Sequence, residues 1–263
     1  MDYIAINKKL WDNKTEIHFN SEFYDVASFM NGKDSLNTIE LELLGNLAGK
    51  KVLHLQCHFG QDTISLARHG AEATGVDLSG KAIEKARELN DKTGSKVRFI
   101  QSDVYKLHEV LNEEFDIVFT SYGVIGWLPD MKKWAEVIHR FLKPGGKLVF
   151  VEFHPIIWML SYDFQRIEYP YMDSPPIIEE LEGTYTDRGA AIKDKSVSWN
   201  HGLSSVINAL IKTGLRIDDF REYNYSPYNC FQNTVKIADR KFKIKGLEDK
   251  IPMVYSVVAG KKI

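Results

Sequence analysis

Between Val52 and Thr63 the chain reads "VLHLQCHFGQDT": an apolar run stops, Cys57 is crowded between His54 and His58, and Gly60 leads into an amphipathic stretch. A strand that passes through a glycine turn into a helix brings free backbone N–H groups and the positive end of the helix dipole to one point, which suits an anionic part of a nucleotide. Asp62 is expected to cap that helix, and Thr63 lies in its first turn. In "GVDLS", Asp77 closes the next strand with a carboxylate that can accept both hydroxyls of a ribose; Leu78 would cover one adenine face and Ser79 would cap the following helix. In "QSDV", Ser102, Asp103 and Val104 end a third strand, with Asp103 placed to take an adenine amino group and Val104 as its apolar neighbour. Any one of these aspartates reads equally well as turn chemistry or a cap. Their order, at successive strand ends, points to an adenosine site.

The elements that must position these residues alternate in type. Short apolar runs at Lys51–Gln56, Ala73–Asp77, Val97–Ile100, Phe115–Thr120 and Lys147–Glu152 predict strands. Between them, "SGKAIEKARELN" and "MKKWAEVIHRFLKPGG" carry apolar residues at helical spacing, the second stopped by Pro144 and Gly145. This is the pattern of an α/β domain with a parallel sheet. Regularity fails from Pro155 to Trp199, a segment rich in Tyr, Pro, Glu and Asp, and returns with a helical stripe from Leu203 to Ile211 and strands near "LRIDDF" and "MVYSVVAG". The chain divides into an N-terminal cap (1–48), a ligand-binding core (49–154), an insertion (155–200) and a closing helix with strands (201–263), all in one domain.

With 34 Lys+Arg against 36 Asp+Glu, net charge −2, no global field draws the 263-residue chain to nucleic acid or anionic lipid. The polar start "MDYIAINKKLWDNK" lacks a signal core and no stretch reaches membrane-spanning length, so a cytoplasmic location is expected. The two cysteines, Cys57 and Cys230, are too few for a disulfide framework, and neither they nor the eight histidines show metal-ligand spacing, so no metal is expected.

Taken together, "VLHLQCHFG", "GVDLS", "QSDV", "FDIVFTSYGVIGWLPD" and "LKPGGKLVFVE" resemble a class I S-adenosylmethionine-dependent methyltransferase over Lys50 to about Pro155, with "GLRI" and "PMVYSVVAGKK" similar to that family's closing strands. The resemblance implies a Rossmann-like, doubly wound seven-stranded sheet with the last strand antiparallel, S-adenosylmethionine as cofactor and S-adenosylhomocysteine as product. It places His54, Gln56, Cys57, Gly60, Asp62, Thr63, Asp77, Leu78, Ser79, Ser102, Asp103, Val104 and Ser121 around the cofactor. Departures stand at three positions: His54 where an acid is common, and Gln56 and His58 in place of the first two loop glycines.

Methyl transfer is an in-line displacement at a sulfonium, so the protein must align the acceptor, remove its proton and exclude water. The acceptor is expected beyond the fourth and fifth strands, near Ser121, Tyr122 and Trp127. "TSYG" lacks the acid-or-Asn, Pro-Pro, aromatic pattern of enzymes that modify bases, which leaves an oxygen or nitrogen of a small molecule as the expected acceptor. His154 in "EFHP" and His201 in "WNHG" are the candidate bases, with Tyr122 as an alternative proton receiver. His18, Phe19 and Tyr24 from the cap, Trp127, and Trp158 and Trp199 from the insertion are expected to wall the acceptor. The sequence does not set the oligomeric state. Two other readings stand beside this one: a methyltransferase-like domain that binds a ligand without catalysis, and a nicotinamide-dependent oxidoreductase, which would want an intact GxGxxG.

Overall fold

The computed structural model describes residues 1–263. Three helices come first, α1 (Tyr3–Phe19), α2 (Val26–Met30) and α3 (Thr38–Leu44). The core then runs β1 (Lys51–Leu55), α4 (Gln61–Arg68), β2 (Glu72–Asp77), α5 (Gly80–Thr93), β3 (Arg98–Gln101), β4 (Phe115–Ser121), α6 (Met131–Phe141) and β5 (Leu142–Phe153). After it come α7 (Pro155–Met159), β6 (Ile177–Glu182), β7 (Lys193–Ser198), α8 (Leu203–Lys212), β8 (Leu215–Tyr223), β9 (Thr234–Ala238), β10 (Lys241–Ile244) and β11 (Val254–Lys261).

Seven strands form one sheet in the order β3-β2-β1-β4-β5-β11-β8, parallel except that β11 runs antiparallel to both of its neighbours. That is the expected doubly wound sheet. Strands covered on both faces are apolar at nearly every position: Leu53 and Leu55 face a core shared with α6 and α8, while Val52 faces the core shared with α3, α4 and α5. The order reverses between β1 and β4, so the C-terminal ends of these strands form the crevice where open α/β sheets take ligands.

Local signals account for the element ends. Ser79 accepts the Ala82 N–H at 3.0 Å and starts α5, and Asp130 does the same for α6 through the Lys133 N–H. Asp62 is not a cap: Gly60, at φ 79°, occupies the cap position of α4, and Asp62 lies inside the first turn. Helix α6 stops at Phe141, earlier than the periodicity suggests, because the residue before Pro144 is driven to extended backbone. Lys143–Gly146 then bulge out of register, with Phe115 opposite Leu142 but Ile117 opposite Lys147.

The segment 155–200 is not wholly irregular. It carries the β6–β7 hairpin, paired from Ile177–Ser198 to Glu182–Lys193, and a second hairpin of β9 and β10 precedes β11. Helix α1 lies along β7 and α5: Asn7 exchanges two hydrogen bonds with the Val197 backbone, donating to its carbonyl (2.7 Å) and accepting from its N–H (3.0 Å). No helix is long and apolar enough to cross a membrane.

Candidate active site

The loop after β1 keeps the path of a three-glycine turn with only one glycine. Gln56 (φ 56°), His58 (φ 51°) and Gly60 (φ 79°) are all left-handed. A Cβ on Gly60 would stand 2.5 Å from the Phe99 ring, so glycine is required there for space as well as for φ. At the other two positions a side chain is carried at a strain of roughly 1 kcal/mol or more each. Gln56 uses it to reach across to the loop after β4, its amide donating to the Val124 carbonyl at 2.8 Å, and its Oε1 is left buried and without a partner.

Asp77 closes β2 beneath this loop. Its Oδ2 accepts the His58 N–H and its Oδ1 the Ser79 N–H, both at 2.8 Å. Each oxygen keeps a further lone pair for a ligand hydroxyl. Burial pushes this carboxyl up to about 6, against the opposing pull of its backbone donors. Helix α1 closes over the same corner, where Asp12 accepts from the Ser79 hydroxyl (2.6 Å) and the Lys81 N–H (3.2 Å). On the next strand end, Asp103 accepts the Tyr105 N–H at 3.0 Å and caps the short helix at Val104–Glu109, and the Ser102 hydroxyl donates to the Asp103 carbonyl. Val104 is buried, and the Leu78 carbonyl accepts from the Gln101 amide at 3.4 Å.

Several residues expected at the ligand face turn inward. His54 and Thr63 are buried and bonded to each other at 2.9 Å, joining β1 to α4, and burial lowers the His54 imidazole to about 3, so it is neutral. Cys57 packs under the loop against β2, where a Cβ on Gly75 would meet its Sγ at 2.9 Å. Asp62 points toward Ser35, and burial raises its carboxyl.

The loop after β4 is folded around a carboxylate that the sequence did not single out. Glu152, 1% exposed on β5, accepts the N–H groups of Gly123, Val124 (2.8 Å), Ile125 (3.2 Å) and Phe153 (2.7 Å). Ser121 is buried at the end of β4, and Tyr122 follows it with φ 43°, its ring between Phe153 and Tyr228. Burial, and then the nearby Glu40, hold the Tyr122 phenol well above its ordinary range, which makes it a hydrogen-bond donor rather than a proton receiver. Trp127 packs edge-on against Trp11 of α1 at 5.4 Å between centroids, and Trp11 packs against His58 at the same distance.

In each candidate base one nitrogen is hydrogen-bonded, and the other is buried without a hydrogen-bond partner beside a carboxylate. His154 caps α7, Nδ1 accepting the Ile156 N–H at 3.2 Å, and its Nε2 stands 3.0 Å from Glu222 on β8. His201 donates from Nε2 to the Leu128 carbonyl at 2.7 Å, and its Nδ1 is 3.5 Å from Asp173. Both sites read as structural joints. Of the expected wall residues, His18 and Tyr24 meet the loop at His58. Phe19 packs on Phe59, Trp199 on Tyr3, and Trp158, 38% exposed, on Phe153 and Phe231.

Residues 52–146 match the family model described as "Methyltransferase domain". This stretch holds the left-handed loop, Asp77, Asp103 and the KPGG bulge. The chain is also similar to an uncharacterized methyltransferase of Synechocystis sp., 34% identical over 130 residues that cover 49% of this chain and 59% of that one. It resembles the ubiquinone biosynthesis O-methyltransferase of Pseudomonas syringae pv. tomato at 29% identity over 146 residues, 56% and 58% of the two chains. The matched region thus spans less than two thirds of these relatives' lengths. In fold, the whole chain is similar to an S-adenosylmethionine dependent methyltransferase from Mesorhizobium loti: TM-score 0.60, 23% identity, covering 88% of this chain and 100% of that one. The family model matches only residues 52–146, so α1, before it, and both hairpins, after it, lie outside the match.

Proposed function

We propose that the chain is an S-adenosylmethionine-dependent methyltransferase that methylates an oxygen or nitrogen of a small molecule. The observation that carries this reading is the joined unit of Asp77 and the left-handed loop: a half-buried carboxylate with spare lone pairs, bonded to a turn whose three positive φ angles sit at positions 56, 58 and 60. The residues fit the cofactor. Asp77 would take the ribose hydroxyls, Asp103 the adenine amino group, and the partnerless Gln56 Oε1 the ammonium of the methionine end. When bound, the cofactor supplies a methyl group on a positively charged sulfur, an electrophile that needs no further activation.

This chain's residues orient, shield and handle protons. Glu152 fixes the loop that ends in Trp127, Trp127 packs on Trp11 and Trp11 on His58, and this run of aromatic rings would help exclude water from the crevice. The relatives' names support a small-molecule acceptor, the Pseudomonas protein being named an O-methyltransferase of ubiquinone biosynthesis. The near-neutral charge and the lack of a base-modifying motif after β4 favour the same acceptor class over nucleic acid.

Incubation of the purified protein with methyl-labelled S-adenosylmethionine and the low-molecular-mass fraction of a cell extract tests the proposal. Release of S-adenosylhomocysteine with label in a small-molecule product is expected. Tight cofactor binding without any transfer would leave a ligand-binding domain.

A further inference from the structure

His58 occupies a left-handed position where glycine would be free of strain, and its ring points at α1. There its Nε2 lies 2.9 Å from Nδ1 of His18, a residue with no exposed surface. The remaining nitrogens, His18 Nε2 and His58 Nδ1, are buried and have no partner. Trp11, Tyr24, Phe59 and Tyr185 surround the two rings. A strained backbone that retains a buried imidazole with an unmet polar atom is an arrangement that stability alone does not favour.

Two hydrogen-bonded neutral imidazoles carry two ring protons on four nitrogens: one N–H is shared in the bond, and of the two outer nitrogens one carries hydrogen and the other is bare. When the shared proton sits on His58 Nε2, His58 Nδ1 is bare and His18 Nε2 carries hydrogen; when it sits on His18 Nδ1, the ends are reversed. We propose, resting on the methyltransferase reading, that the His18–His58 pair is the proton-accepting end of the acceptor site and that it takes an uncharged hydroxyl or amine.

In the step, the acceptor's oxygen or nitrogen forms its bond to the methyl carbon as the sulfur–methyl bond breaks and that electron pair returns to sulfur. The acceptor's proton passes to the bare His58 Nδ1, the shared proton crosses from His58 Nε2 to His18 Nδ1, and the His18 Nε2 proton is given up; because both outer nitrogens are buried, this requires the surrounding rings to part, and the same opening lets the outer nitrogens exchange protons so that the shared proton returns to His58 Nε2. One proton is carried through, and neither ring keeps a charge. Burial, first of all, lowers His18 to about 2 and His58 to about 3, so a relay that never stores an imidazolium suits the surroundings better than a single histidine base would. The other titrating groups facing the pair are Lys14 on α1, itself lowered to about 8 by burial, the phenols of Tyr24 and Tyr185, and Asp77 through the His58 N–H.

The test combines nitrogen-15 histidine spectra of the full protein saturated with S-adenosylhomocysteine and turnover of catechol and benzylamine as hydroxyl and amine probes. In the spectra both rings are expected to stay neutral from pH 5.5 to 8.5 with the shared proton intact; an ordinary titration near 6.5 in either ring, or loss of the shared proton, overturns the proposal. For a probe that the parent methylates, His18→Asn and His58→Asn should each lower turnover about 100-fold or more, with S-adenosylhomocysteine affinity within threefold of the parent. His58→Gly relieves the backbone, so it should melt no lower than the parent yet turn over as slowly as His58→Asn. Parental turnover in His58→Gly overturns the proposal and leaves the methyltransferase reading standing. If neither probe is methylated, the spectra decide alone, and failure of the parent to bind S-adenosylhomocysteine overturns both.

Discussion

Asp77 Oδ2 holds the His58 N–H at 2.8 Å, so the carboxylate expected to receive the ribose also fixes the loop expected to lie under the rest of the cofactor. Two elements of the site therefore respond to one ionisation.

That coupling sets a pH dependence. The Asp77 carboxyl is raised by burial from its ordinary 3.8 to about 6. With the folded value above the unfolded one, the stability this group contributes is full below about pH 4 and is lost as pH rises through 6. Ribose hydroxyls donate to the ionised form, so S-adenosylhomocysteine should bind up to about tenfold more tightly at pH 7 than at pH 5 and release protons in that window. Calorimetry in buffers of different ionisation enthalpy reads both; affinity flat between pH 5 and 7 would remove Asp77 from the ribose site.

Glu152 organises the loop after β4 through four backbone donors. Glu152→Gln replaces an acceptor oxygen with an NH2 that faces those donors, and should destabilise the fold by about 1 to 3 kcal/mol. Urea unfolding monitored by tryptophan fluorescence measures this, and unchanged stability would show that the loop holds itself.

Helix α1 is tied to the β7 strand by the two-way Asn7–Val197 bond, with Asn7 only 2% exposed. Asn7→Ala should speed amide exchange at residues 3–19 and 193–198 while leaving β1, β4 and β5 protected. Exchange that rises evenly over the whole chain would mean that α1 is part of the core rather than a cover.

The sheet was legible because strands buried on both faces must be apolar throughout, as in "KLVFVE", and because Asp77 and Asp103 stand at strand ends. The hairpins were not. Strand β6, "IIEELE", is only half covered, and its glutamates hide it among loop residues. Helix α1 buries Asn7, Lys14, Thr15 and His18, so no apolar stripe advertises its contact face. For the same reason Glu152 passed unnoticed: a carboxylate that accepts four N–H groups is spelled like one in water. The positions of His154 and His201 near strand and helix ends suit a base, but only the structure shows that each spends one nitrogen on the backbone, at Ile156 and at Leu128, and sets the other beside a carboxylate.

Titration calorimetry of the purified chain with S-adenosylhomocysteine, beside Asp77→Ala, tests the central claim most directly. The parent should bind one equivalent, nicotinamide nucleotides should not compete, and Asp77→Ala should bind roughly 5-fold to 150-fold more weakly, the loss expected for charge-assisted hydrogen bonds of about 1 to 3 kcal/mol. A parent that gives no binding heat, or an Asp77→Ala variant that binds as tightly as the parent, would contradict the account.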